Sequence, residues 1–169
     1  MILSRGKIII IAIFIAIVAG LAGLIAFTNV ETTQLEAQVD VMLENVKMKA
    51  LDKQKNVMTV QVDFAVSNKS DRTLTISKID YELFADEKSL GLGFMSLENI
   101  PMVGRPSLFP KTSTTIPSDF RLNYSDDISD VWNLLATSAE NDNIARRVKG
   151  NAEIESAFSI VPITFESST

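Results

Sequence analysis

Val57-Met58-Thr59-Val60-Gln61-Val62-Asp63-Phe64-Ala65-Val66-Ser67 alternates without a break: Met58, Val60, Val62, Phe64 and Val66 fall on one side, Thr59, Gln61, Asp63 and Ala65 on the other. Successive side chains of a strand point to opposite faces, so this stretch reads as a β-strand with one face in a core. Asn68-Lys69-Ser70-Asp71 follows, and Asn and Asp side chains bond nearby backbone amides in turns. Leu74 and Ile76 begin a returning strand, which Ile79, Tyr81 and Leu83 continue after a one-residue phase slip. Ala85-Asp86-Glu87-Lys88-Ser89 then turns the chain into Leu90-Gly91-Leu92-Gly93-Phe94.

Upstream, Val39, Val41 and Leu43 alternate, and Val46, Met48 and Ala50 alternate with shifted phase. That pattern predicts a strand with a bulge near Asn45. Downstream, Pro101, Pro106, Pro110 and Pro117 mark loop and sheet edge, because proline removes a ladder donor. Ile116, Phe120 and Leu122 predict a short edge strand there. A helix should start at Ser125 or Asp126, with either as its cap, and run to about Ala139, where Asn141-Asp142-Asn143 breaks it. Asp126, Asp127 and Asp130 suit its positive end, and Ile128, Val131, Trp132 and Leu135 form its apolar stripe. From Ala145 to Glu166 the pattern predicts one or two last strands, with Pro162 at an edge or bulge. Six to eight short strands with turns between them fit an antiparallel β-sandwich with one helix.

The N-terminus has a different character. Ile8–Phe27 reads IIIIAIFIAIVAGLAGLIAF, with no charged side chain, and at ~1.5 Å per residue it matches the ~30 Å hydrocarbon core of a bilayer. A transmembrane helix is therefore expected over 8–27. A cleaved secretory signal is the competing reading, but its apolar region is shorter and no A-x-A site follows, so an uncleaved signal anchor fits better. Arg5-Gly6 also resembles the processing site of archaeal pilin-like precursors, against which stands the charge at Lys7. Arg5 and Lys7 precede the helix and the first charge after it is Glu31, so the positive-inside rule predicts a cytoplasmic N-terminus, residues 1–7. Residues 28–38 read as a polar stalk that can continue the helix for a turn or two. Residues 39–167 form the domain, on the extracytoplasmic side of a single-pass cell-membrane protein.

Composition narrows the chemistry. The chain has 169 residues, 16 basic and 21 acidic; only Arg5 and Lys7 lie before residue 28, so the outer part carries 14 − 21 = −7. Nucleic acid is an unsuitable partner for that charge. The chain contains no histidine and no cysteine, which removes Ser-His-Asp and Cys-His catalysis and thiolate or imidazole metal sites. Paired carboxylates remain as catalytic groups, yet helix-start charge accounts for Asp126, Asp127 and Asp130, and a turn for Asp86-Glu87. Gly91-Leu92-Gly93 is too short for a phosphate-binding fingerprint and reads as a bulge or close approach. Arg146-Arg147 reads as a surface pair and Trp132 as a core side chain. No catalytic, cofactor or metal residue is expected. Two sequons, Asn68-Lys69-Ser70 and Asn123-Tyr124-Ser125, fall in expected outer turns and make Asn68 and Asn123 candidate glycosylation sites.

Val62-Asp63-Phe64-Ala65-Val66-Ser67-Asn68, then Leu74, Ile76, Ile79, Tyr81 and Leu83, then Gly91-Leu92-Gly93, resembles the WHy domain (water stress and hypersensitive response) of the late-embryogenesis-abundant group 2 family. Val148-Lys149-Gly150-Asn151-Ala152-Glu153-Ile154 is similar to that family's glycine-containing penultimate strand. The likeness spans about residues 38–167. It departs in the first turn, where many members have Asn-Pro-Asn and this chain has Asn68-Lys69-Ser70. The resemblance implies a seven-stranded, fibronectin type III-like sandwich plus one helix, a membrane-anchored form, protection against desiccation or other stress, and no catalytic site. Its expected partners are the bilayer, through the N-terminal helix, and stress-labile clients. The alternatives are a structural module that anchors surface filaments or a surface layer to the envelope, with envelope proteins as partners, and a lipid-binding domain with a groove between its sheets.

Overall fold

The computed structural model describes residues 5–97, 104–137, 146–156 and 159–169. Helix α1 (Arg5–Glu36) comes first, followed by strands β1 (Val39–Asp52), β2 (Val57–Asn68), β3 (Leu74–Ala85), β4 (Lys88–Ser96), β5 (Ser107–Leu108) and β6 (Thr112–Asn123). Helix α2 (Ser129–Thr137) precedes β7 (Arg146–Glu155) and β8 (Ile160–Ser168). One antiparallel sheet has the order β1-β2-β6, and the other has the order β4-β3-β7-β8, with the two-residue β5 also paired to β3. Three strands thus face five, in the fibronectin type III-like sandwich expected, with the short β5 in addition to the seven strands that the resemblance implies.

The alternating face of β2 is the centre of the core. Met58, Val60, Val62, Phe64 and Val66 are all 0 % exposed. They meet Ile76, Ile79, Tyr81 and Leu83 of β3 and Val148, Ala152 and Ile154 of β7, all buried in the same cluster. At roughly 1.5–3 kcal/mol for each large apolar side chain removed from water, this layer dominates the folding energy. The expected bulge appears as a register shift between Leu43 and Asn45, and a second, unforeseen shift lies between Met48 and Ala50. The phase slip in β3 is a shift between Ile76 and Lys78. There Ser77 turns inward and donates its hydroxyl to the Glu153 carbonyl at 3.1 Å.

Three expectations change in detail. β6 extends over Thr112–Asn123 and pairs with β2 along its whole length, so the short strand expected around Ile116 is a full one. Its edge position is where a sheet tolerates Pro117. The helix after β6 begins with one 3-10 turn, Asp126–Ile128, and Ser125 makes no side-chain cap bond there, which removes its capping role. Asp126 lies inside that turn and does not cap it. Ile128, Val131, Trp132 and Leu135 are nonetheless buried as the stripe requires. The expected helix end at Ala139 and the Asn141-Asp142-Asn143 break lie outside the described residues. Pro162 sits on β8, at the sheet edge.

α1 is 32 residues long, and its stretch from Ile9 to Phe27 is apolar on every side and solvent-exposed in the isolated chain. It is one helix long and apolar enough to cross a membrane. The expected stalk is helical through Glu36, and its Leu35 is buried in the sandwich core.

Candidate functional site

The junction of α1 with the domain is built by a single buried asparagine. Asn68 ends β2 and is 1 % exposed. Its Nδ2 donates to the carbonyls of Arg72 at 2.7 Å and Leu108 at 2.8 Å. Its Oδ1 accepts from the Ser70 amide at 3.0 Å and the Ser70 hydroxyl at 2.6 Å. Both ends of the side chain are thus spent on holding the 69–72 turn against β5. The turn is tied to α1 as well, because the Lys69 amide donates to the Gln38 carbonyl at 2.7 Å and the Gln38 amide to the Leu35 carbonyl at 3.0 Å. Ion pairs Lys69–Asp40 and Lys111–Asp71 brace its outside. Between α1 and this turn lies a cleft of about 240 Å³, reached by Phe27, Val30 and Leu35 from the helix and Asp71 and Arg72 from the turn.

Asn68, expected as a sequon residue, therefore does not present its amide nitrogen on the folded domain. Asn123, the last residue of β6, is exposed at the opposite end, opposite Val57 in the ladder. Of the three helix-start acids, Asp130 has its carboxylate paired: Lys88 donates to it, at 2.9 Å to the nearer oxygen, and to the main-chain carbonyl of Asp127. The Lys88 hydrogen bond is the main cause that holds Asp130 below the usual carboxylate range. Asp86 and Glu87 form a two-residue hairpin loop between Ala85 and Lys88, both with positive φ. Arg147 stacks 4.4 Å over the Phe84 ring and donates to Glu166 at 2.9 Å, lowering the Glu166 pKa. Trp132 is buried and meets Tyr124 edge-on at 5.6 Å. Among the described residues, no three acidic side chains gather in a metal-holding group.

The glycines have structural work. Gly91 has φ 117° and pairs with Leu83 beside the register shift that leaves Leu90 without a partner in the ladder, a backbone turn that glycine adopts freely. Gly93 and Gly150 flank Tyr81 in neighbouring strands. A Cβ on Gly93 would collide with the Tyr81 ring, and one on Gly150 with the Asp80 carbonyl and the Phe165 ring. Tyr81 then packs edge-on against Phe64 at 4.9 Å and shares a 3.0 Å hydrogen bond with Ser118. Burial raises its pKa above the ordinary tyrosine value.

The space between the sheets is filled by the core, but their edges separate along one side. There a cleft of about 310 Å³ runs between β4 and β6, lined by Leu92, Phe94, Asp119, Phe120 and Arg121. Leu92 is 82 % and Phe94 72 % exposed, on an edge strand. Neither the α1 junction nor this edge was legible as a site, because each joins residues distant in sequence. The local signals at the junction were the turn residues Asn68-Lys69-Ser70-Asp71 and the scattered apolar residues Val30 and Leu35 in a mostly polar stretch, and neither points to the other.

No family model matches the chain. No curated protein matches it in sequence. Solved structures do match in fold. One from Arabidopsis thaliana is matched over 76% of this chain and 79% of its own, with a TM-score of 0.52 and 14% identity. A protein from Archaeoglobus fulgidus is matched over 75% and 94%, with a TM-score of 0.45 and 17% identity. A candidate late embryogenesis abundant (LEA) protein is matched over 91% and 87%, with a TM-score of 0.47 and 14% identity. At these identities the likeness to the Arabidopsis protein shows a shared β-sandwich fold and assigns no role.

Proposed function

We propose that this chain is a non-catalytic, membrane-tethered β-sandwich of the WHy type, held outside the cytoplasm, that protects membrane or envelope components during desiccation or other stress. The observation that carries the reading is the continuity of α1: one helix contains an apolar run of bilayer length and ends with Leu35 inside the domain core. A tether built this way keeps an acidic, hydrated surface at a fixed distance from the bilayer, where repulsion and excluded volume separate drying clients without turnover. The absence of histidine and cysteine and the pairing of Asp130 and Glu166 with cations support a role without chemistry.

A labile enzyme dried with vesicles that carry the full chain should keep more activity than with vesicles that carry α1 fused to an unrelated acidic sandwich. Equal retention would remove the protective reading. It would favour a second one, an envelope assembly module, for which the exposed Leu92 and Phe94 on edge strand β4 are the supporting observation: such an edge accepts an added strand.

A further inference from the structure

We propose that the end of the sandwich from which α1 leaves rests on the bilayer, with the exposed ring of Phe109 lodged at the boundary between headgroups and acyl chains; this rests on the membrane-tethered reading. The ring is set out by the turn that carries it. Phe109-Pro110-Lys111-Thr112 joins β5 to β6, and the Phe109 carbonyl accepts from the Thr112 amide at 3.3 Å and from its hydroxyl at 2.9 Å. Proline in the second place and a φ of 59° at Lys111 in the third are the arrangement of a type II turn. Leu108, just before it, is fully buried, and the Asn68 side chain holds its carbonyl, so the chain is fixed up to the ring. Phe109 itself is left 59 % exposed.

Depth is the second argument. Lys111 clamps this turn to the 69–72 turn, donating to the Lys69 carbonyl at 2.6 Å and pairing with Asp71 at 3.1 Å. Ser70, Asp71 and Arg72 in turn line one cleft with Val30 and with Phe27, the last residue of the apolar run. Both turns therefore hang beside α1 where the span leaves the hydrocarbon. The headgroup layer on each side is about 5–8 Å deep, about three to five residues of helix, which covers Phe27 to Val30. Ile160, also 59 % exposed, emerges from the same end: it opposes Glu155 in the ladder, Glu155 opposes Thr75, and Thr75 opposes Ser107, two residues before Phe109. The cations Lys69, Lys111 and Arg105 at this end are paired with Asp40, Asp71 and Glu155, so the contact is carried by apolar side chains and calls for no anionic lipid. A ring held out by a fixed turn gains nothing from the folded domain, and its apolar area leaves water when the tip meets the bilayer.

The test reconstitutes the full chain in phosphatidylcholine vesicles, with and without bromine near the carbonyl end of the acyl chains, and reads tryptophan fluorescence. The one native tryptophan, Trp132, is buried beside Tyr124 and supplies the baseline. The emission added by Phe109→Trp should lie to the blue of tryptophan in water and lose most of its intensity in the brominated lipid. Leu92→Trp, at a site more exposed than Phe109 but on the side of the sandwich, should keep its added emission. Ile17→Trp, inside the apolar run, reports the span and should be quenched. Unquenched, water-like emission from Phe109→Trp, with Ile17→Trp quenched, would overturn the contact and leave the tether standing. Quenching of Leu92→Trp as strong as that of Phe109→Trp would also overturn it, by showing a domain that lies on the bilayer without a preferred end. Quenching of Phe109→Trp that appears only when phosphatidylglycerol is added would do the same, by showing attraction to charge. An unquenched Ile17→Trp would overturn the tether itself and the contact with it.

Discussion

Tyr81 sits in its sheet between Gly93 and Gly150, with Phe165 beyond Gly150. Sheets gain most from large side chains that cover their neighbours, and here two aromatic rings cover two residues that have no side chain. The replacement cost differs between the glycines because the obstacles differ. A Cβ at position 93 meets the Tyr81 ring, which can tilt, whereas one at position 150 meets the backbone carbonyl of Asp80, which cannot move without its strand. Gly93→Ala should therefore cost about 1–3 kcal/mol and Gly150→Ala more than that, by denaturant titration of the full chain in detergent. Combining Gly93→Ala with Tyr81→Leu should restore part of the loss, and combining Gly150→Ala with it should not. Equal midpoints for both single variants would contradict the packing described.

At the scale of elements, the β3–β4 hairpin is strained by its own sequence. Asp86 and Glu87 hold φ of 46° and 72° in a two-residue loop, the conformation that Asn-Gly adopts most readily. Left-handed backbone costs a side-chain-bearing residue about 1–2 kcal/mol, so Glu87→Gly should raise stability by roughly 1 kcal/mol. A thermal melt that fails to rise would show that Glu87 makes a compensating contact. This hairpin was legible only as a turn, and its register was not. What could be read was whatever has a local period: the β2 alternation, the phase slips at Asn45 and in β3, and the apolar stripe of α2. What could not be read was decided by distance. β6 is long because it pairs with all of β2, a fact invisible under its prolines. Asn68 announced a turn and a sequon, while its bond to the Leu108 carbonyl joins residues 40 apart. The Met48/Ala50 shift arises from pairing against β2 and leaves no mark in the alternation around it.

Across the whole molecule, the 32-residue helix places one of its own residues, Leu35, in the core of the sandwich, so helix and domain share one core. The proposed function depends on which way the helix and its domain face. The charges from which the positive-inside rule predicts an orientation are few: two cations before the apolar run and no charge after it until Glu31. Because the chain has no cysteine, single cysteines report accessibility without background. Ser4→Cys and Ser168→Cys bracket the molecule. In intact cells, a membrane-impermeant maleimide should label Ser168→Cys and should reach Ser4→Cys only after the membrane is opened. Labelling of Ser4→Cys with Ser168→Cys protected, or protection of both until lysis, would contradict an outward-facing, membrane-tethered domain.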